Sequence, residues 1–109
     1  MSENNPLKDL RFVQAALKDL TKFPEEVKES VADALNLACH GEKADNAKPL
    51  KGFKGAGVLE VFEDHDGNTY RAVYTVRFAW VVYVLHAFQK KSKSGIETPK
   101  QEMDLIDAR

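Results

Sequence analysis

Three residues in the second half of the sequence have side chains suited to phosphate chemistry on RNA. Arg71 lies in a segment with alternating apolar residues, and His86 and Lys90 lie where a long apolar segment becomes polar. If the two segments pair in a sheet, an imidazole and two cations can surround one phosphate. The 2′-hydroxyl of RNA attacks its own phosphate, so the protein needs only a base, an acid and cations for the phosphorane. We therefore predict Arg71, His86 and Lys90 as catalytic residues.

Further basic and aromatic residues near these three are candidates for holding RNA. Cations bind phosphates, and aromatic rings stack on bases. The predicted RNA-binding residues are Lys51, Lys54, Tyr70, Tyr74, Phe88, Lys91 and Lys93. Two structural alternatives stay open, because a lone histidine on an apolar strand is commonly a core residue and an arginine is commonly half of a structural ion pair.

The charge is unevenly distributed along the chain. The formal net charge is −1, whereas a generic nucleic-acid binder normally has a strong basic excess. Residues 71–100 nevertheless carry six basic groups and one acidic group. This stretch is either a surface for a polyanion or a solvated basic edge that prevents sheet-to-sheet aggregation.

Two helices and a sheet must position these residues. Apolar residues with helical spacing predict two N-terminal helices, with Pro24 in the first turn of the second helix and Gly41 at its end. The first helix should end near residues 21–23. Its apolar stripe is Leu10, Val13, Leu17 and Leu20, and that of the second helix is Val27, Val31, Ala34, Leu35 and Ala38. Together they predict a helical hairpin.

After an irregular connection over residues 42–57, the apolar period becomes two. Segments 58–63 and 69–78 predict two strands joined by a turn at residues 64–68, and segment 80–88 predicts a buried central strand. The second of these strands should present Tyr70, Ala72, Tyr74 and Val76 on one face.

The cap pattern at Thr98 predicts a short last helix, in which Met103 and Ile106 contact the sheet. The predicted fold class is α+β, with an N-terminal helical hairpin, an antiparallel sheet of three or four strands and a short C-terminal helix. One domain should span residues 1–109.

Several other kinds of site are disfavoured. His40, His65 and His86 lack metal-ligand spacing, and Cys39 is the only cysteine, so we expect no metal, no cofactor and no disulfide. The glycines of residues 51–57 precede a predicted strand rather than the helix that phosphate-binding loops need. With no apolar run long enough for a membrane span and no signal pattern, we expect a cytoplasmic protein.

Six short segments over most of the chain share a pattern with known proteins. They are Phe23-Pro24-Glu25-Glu26-Val27, Lys48-Pro49-Leu50-Lys51-Gly52, Tyr70-Arg71-Ala72-Val73-Tyr74, Val84-Leu85-His86-Ala87-Phe88-Gln89-Lys90-Lys91, Thr98-Pro99 and Ala108-Arg109. The His-x-Phe-x-Lys-Lys element followed by Thr-Pro is the most specific. With these segments the sequence resembles the HigB-like branch of the RelE-type toxins, the bacterial and phage-derived toxin components of type II toxin–antitoxin modules.

The resemblance implies a compact RelE-like domain and an endoribonuclease that cleaves mRNA, usually on the ribosome. It implies mRNA, the ribosome and a cognate DNA-binding antitoxin as partners, and it supports functional roles for Arg71 and Lys90. One position departs from the pattern, since many relatives have an arginine where this chain has Phe62.

Two other interpretations remain. In the second interpretation the chain binds RNA or protein without catalysis, as a phage-derived protein that has lost cleavage activity. In a third interpretation the same basic surface is a subunit interface of a phage-derived accessory protein.

Overall fold

The computed structural model describes residues 7–50 and 57–90, together with residues 106 and 108. Its elements are β1 (Asp9–Phe12), α1 (Ala16–Leu20), α2 (Glu25–Cys39), β2 (Ala47–Pro49), β3 (Val58–His65), β4 (Asn68–Thr75) and β5 (Val81–Lys90). The strands form one five-stranded sheet in the order β1-β5-β4-β3-β2. Strand β1 is parallel to β5, and the other neighbours are antiparallel. The α+β class is confirmed, with a mixed five-stranded sheet in place of the predicted antiparallel one.

The predicted first helix is confirmed only at its C-terminal end, where α1 contains Leu17 and Leu20 and ends before Thr21. Residues 9–12 form the edge strand β1, and α1 has only five residues. Gln14 has a φ of 51°, a left-handed conformation that interrupts a right-handed helix. The N–H of Val13 donates to the carbonyl of Val84 at 2.9 Å, so pairing with β5 overrides the local helical pattern.

The second helix agrees with its prediction. All five residues of the predicted apolar stripe on α2 are buried. The helix ends at Cys39, and Gly41 follows with a φ of 83°, which glycine adopts without strain. Pro24 lies one position earlier than predicted, at the N-cap.

The three-stranded meander from β3 to β5 is also confirmed. Strands β3 and β4 are joined by a two-residue turn, in which Asp66 and Gly67 have φ values of 51° and 80°. This is the turn that suits the twist of an antiparallel hairpin. Trp80, predicted to begin the central strand, lies outside β5 and is 70% exposed. Strand β2 lies in the segment predicted as irregular. The sequence did not predict this strand, because three residues are too few to establish a period.

The sheet separates two apolar clusters. On one face, β4 buries Tyr70, Ala72 and Tyr74 in a core shared with α2, and Val76 packs against that core, as predicted. On the other face, Val73 and Phe88 cluster with residues that include Ile106. The predicted contact of Ile106 with the sheet is confirmed.

Most of the predicted last helix lies outside the described residues, including Thr98 and Met103. Residues 106 and 108 have helical backbone.

Gly57 should be the least replaceable glycine among those described. It has a φ of 67°, and an added Cβ would lie 2.8 Å from the Cβ of Arg77. We expect Gly57→Ala to lower the free energy of unfolding by about 2–4 kcal/mol, from backbone strain and the collision together. Gly67→Ala is the matched control, since its φ is 80° but no atom lies within 4 Å. Urea denaturation should show a smaller loss for the control, and equal losses would refute the collision.

Tyr74 should make stability sensitive to alkaline pH. Burial raises the pKa of Tyr74 to about 12, against about 10 in an unfolded chain. The unfolded state therefore loses this proton first, and the free energy of unfolding should fall between about pH 10 and 12, by at most about 3 kcal/mol. Denaturation of wild type and Tyr74→Phe at several pH values checks this. The phenylalanine variant should lose less stability, and parallel pH profiles would contradict the prediction.

Candidate functional site

The three predicted catalytic residues lie on one face of the sheet, opposite the helices. Arg71 is directly across from Phe88, and His86 is directly across from Val73. Residues directly opposite in an antiparallel pair have side chains on the same face. Since β4 alternates, Arg71 and Val73 share the face that Tyr70 and Tyr74 do not.

A bulge in β5 determines where His86 lies. Val84 pairs with Tyr74 and His86 with Val73, so β5 has one residue more than β4 at this point. Val84 packs in the helix-side core, and strict alternation would place His86 there too. The extra residue, Leu85, reverses the alternation, as β-bulges do. His86 thereby joins Arg71.

In the described ranges, every buried residue with a charged or polar side chain lies on this face. Their pairing with β4, and the alternation of side chains along β4, place them there. They are Glu60, Arg71, Thr75, His86 and Lys90, each at most 6% exposed. Burial of charge is costly unless the charges are paired and hydrogen-bonded. We define Glu60, Arg71, His86 and Lys90 as the Arg71 site.

Glu60 is the main residue that sequence reasoning missed. Nη1 of Arg71 donates to Oε1 of Glu60 at 2.9 Å, and the side chains are 6% and 4% exposed. The structural ion pair left open by the sequence therefore exists. Glu60 lies two residues before the half-buried Phe62, so the two side chains share one face of β3. Phe62 pairs directly with Arg71. The sequence does not show this pairing register, which brings Glu60 to the guanidinium.

His86 and Lys90 complete the site. The ring of His86 stacks on Phe88, with centroids 5.2 Å apart and an interplanar angle of 23°. Lys90 lies directly across from Thr69, at the far end of the β4–β5 pair. Stacking on Phe88 restricts the plane of the imidazole.

A third cation borders the site from β2. Lys48 pairs with Glu60 in the β2–β3 register, and its Nζ lies 5.1 Å from the ring centre of Phe62. The sequence analysis did not select Lys48. Its ammonium lies over the ring of Phe62, so a positive charge lies next to this side chain.

Two of the predicted RNA-binding residues, Tyr70 and Tyr74, are not brought to the site. Tyr70 and Tyr74 face the helices, where Tyr70 meets Phe23 edge-on at 4.9 Å and Tyr74 is fully buried. Alternation along β4 makes this unavoidable once Arg71 takes the opposite face. Phe88 is on the site face. Lys51, Lys54, Lys91 and Lys93 lie outside the described residues.

Two negative findings concern the described part of the chain alone. No group of three or more His, Cys, Asp or Glu side chains there is arranged to hold a metal ion. Within the same ranges, no helix has the length and apolar character needed to cross a membrane.

Comparison with known proteins gives a family and a fold. The model of a family described as phage-derived protein Gp49-like matches residues 18–109. The chain belongs to this family. None of the curated proteins matches the Gp49-like sequence.

Solved structures of RelE proteins have the same fold as this Gp49-like chain. A variant of the E. coli toxin RelE with two arginines replaced by alanine, in the free state, is similar with a TM-score of 0.57 and 24% identity, over 75% of this chain and 82% of the other. The Mycobacterium tuberculosis toxin–antitoxin complex RelBE2 contains a chain with a TM-score of 0.53 and 22% identity, over 78% and 100%. At these identities the likeness establishes the fold.

The buried Glu60–Arg71 pair should show strong energetic coupling. Removing one partner leaves a buried charge without its main counter-ion, so Glu60→Leu and Arg71→Met should each cost about 3 kcal/mol or more in unfolding free energy. The double variant should cost less than the sum of the two by at least about 1 kcal/mol.

An exposed pair provides the matched control. Glu25 and Lys28 lie 3.3 Å apart, with side chains 76% and 35% exposed. The same cycle with Glu25→Gln and Lys28→Gln should give a coupling of at most about 0.5 kcal/mol. Equal couplings in the two cycles would show that burial does not strengthen the Glu60–Arg71 interaction.

Proposed function

We propose that this Gp49-like protein is the toxin of a type II toxin–antitoxin system of the HigB-like branch, and that it cleaves mRNA on the ribosome without a metal. It acts as a single domain over residues 1–109 in the cytoplasm. One observation carries the proposal: Arg71, His86 and Lys90, chosen for their chemistry, share one face of the sheet although the chain needs a bulge to bring His86 there. The RelE fold supports it.

Each residue of the Arg71 site has a separate task in this proposal. The 2′-oxygen of RNA forms a bond to phosphorus and releases its proton, while the 5′-oxygen departs and takes up a proton. His86 exchanges one of these protons and solvent water exchanges the other, because imidazole is suited to proton transfer near neutral pH. Arg71 and Lys90 stabilise the negative charge of the phosphorane. The product is a cyclic phosphate.

The neighbouring residues position the catalytic groups or bind RNA away from the cleaved bond. Glu60 orients the guanidinium of Arg71, and Phe88 holds the ring of His86 by stacking. Lys48, Lys51, Lys54, Lys91 and Lys93 bind the phosphates of flanking nucleotides. Tyr70 and Tyr74 have no part, because they face the helices.

An antitoxin is the proposed partner. The M. tuberculosis structure with the same fold is a toxin–antitoxin complex. A cognate DNA-binding antitoxin of this chain would lay an extended or helical segment over the basic residues and exclude mRNA.

Burial of the Arg71 site favours a second candidate. Arg71 and Lys90 are only 5% and 6% exposed, and Arg71 already has a carboxylate partner. These features also suit a phage-derived protein whose cations serve the fold and which binds RNA or protein without cleavage. Full RNA binding without any cleavage in the presence of ribosomes would favour this candidate.

Charge-removing variants should abolish growth inhibition. We expect Arg71→Gln and Lys90→Gln to remove both growth arrest and new mRNA 5′ ends when the chain is induced in bacteria, because the phosphorane loses its cations. Arg71→Lys keeps the charge but not the paired geometry and should retain partial activity. Co-expression of the neighbouring small open reading frame should relieve wild-type arrest.

Lys18→Gln on α1 is the control, since it removes an exposed charge outside the site. It should inhibit growth like wild type. Circular dichroism and urea denaturation must show that the site variants are folded. Folded variants that remain toxic would refute the assigned site, and a folded wild type that leaves growth and mRNA unchanged would refute the toxin.

A further inference from the structure

A second surface combines exposed aromatic rings with cations and has no task in the proposed cleavage. The loop between β4 and β5 leaves Trp80 70% exposed and Phe78 37% exposed. The guanidinium carbon of Arg77 lies 5.0 Å from the ring centre of Phe78. The same ring meets Tyr83 edge-on, with centroids 5.5 Å apart. Such exposure is unusual for a tryptophan, because its large apolar side chain is mostly buried in folded proteins.

Two more cations lie beside this loop, Lys8 directly before β1 and Arg11 within it. Nζ of Lys8 donates to the carbonyl of Val76 at 3.4 Å. Arg11 is aligned with Tyr83 in the parallel β1–β5 pair, so the two side chains lie on the same face. We define the aromatic–basic surface as Lys8, Arg11, Arg77, Phe78, Trp80 and Tyr83.

The charge of the aromatic–basic surface suits an anionic partner. Among the residues that the structure describes, the one ion pair of these three cations joins Arg11 to Asp9, with Nη2 of Arg11 3.7 Å from Oδ2 of Asp9. Both side chains of that pair are about two-thirds exposed or more. An exposed pair of this kind contributes little free energy, so Arg11 can exchange Asp9 for a phosphate at small cost.

We propose that the aromatic–basic surface binds single-stranded RNA. Bases stack on Trp80 and Phe78, and the cations hold the phosphates between them. Stacking on aromatic rings tolerates every base, and positive side chains beside the rings follow the backbone. An apolar protein partner fits less well, because Leu10 is aligned with Val82 of the helix-side core and therefore lies on the opposite face from Arg11.

The exposed rings of this surface are distant from the Arg71 site, although Tyr83 lies on the same face of β5 as His86. A strand rises about 3.3 Å per residue, so Tyr83 lies about 10 Å from His86 along β5, whereas Trp80, just before β5, lies about 20 Å from it. The rings of Trp80 and Phe78 thus hold RNA several nucleotides away from the cleaved phosphate. The choice of RNA rests on the proposed function, whereas the composition and location of the surface do not.

Trp80 is the only tryptophan of the chain, so its fluorescence reports on this surface alone. We would titrate the full chain with a single-stranded RNA of about 12 nucleotides, long enough for one compact binding site. Its 2′-oxygens are methylated to prevent cleavage. We expect saturable quenching of Trp80 that weakens with salt. Anisotropy of labelled RNA should show that Trp80→Ala and Arg77→Gln each weaken binding about fivefold or more.

Two controls lie on α1, outside both surfaces. Leu17→Ala removes a side chain that is 49% exposed, and Lys18→Gln removes an exposed charge. Both should bind RNA like wild type. Unquenched fluorescence at saturating RNA, or wild-type binding by folded Trp80→Ala, would overturn the proposal. So would a wild-type dimer that Trp80→Ala dissociates in sedimentation, because the surface would then be a protein interface.

Arg71→Gln separates this proposal from the proposed function. Quenching of Trp80 should persist in this variant, because Arg71 is remote from the aromatic–basic surface. Quenching by a wild type that, when induced in bacteria, causes neither growth arrest nor new mRNA 5′ ends would reject the toxin activity and leave RNA binding in place. Cleavage that depends on Arg71 without quenching would do the reverse.

Discussion

The choice of sheet face for each side chain in β4 and β5 is the constraint on which the rest of the structure depends. Alternation makes the two faces of β4 exclusive, so Arg71 cannot share a face with Tyr70 or Tyr74. Tyr70 and Tyr74 pack in the core with α2, and Arg71 lies on the other face. A single bulge at Leu85 then places Val84 in the core and His86 at the Arg71 site.

The buried ion pair between Glu60 and Arg71 links stability to the candidate chemistry. Both groups are removed from water, at a cost that their 2.9 Å contact must offset. The contact also holds the guanidinium in one orientation, and in the proposed function this preorganisation lowers the entropy lost on binding RNA. The same interaction can therefore serve a folded scaffold and a reactive site.

Local patterns predicted the elements that depend on local interactions. The buried stripe of α2 and the alternating face of β4 follow from helical and strand periods, and both are confirmed. Strand β1 was mistaken for a helix because it is stabilised by pairing with β5, which no nearby residue reveals. The bulge at Leu85 is hidden for a similar reason, since Val84 and Leu85 are both apolar. Glu60 emerged as a partner of Arg71 only from the register of β3 and β4.

The parallel pairing of β1 with β5 has a consequence for how the chain folds during synthesis. Asp9 is aligned with Val81, so the first strand must wait for the last strand before it can pair. Contacts this distant in sequence close large loops, which slows folding. On a translating ribosome the N-terminal segment leaves the exit tunnel first and stays unpaired until β5 follows. The sheet that carries Arg71 and His86 is therefore completed late, since its edge strand is in place only after β5 has been made.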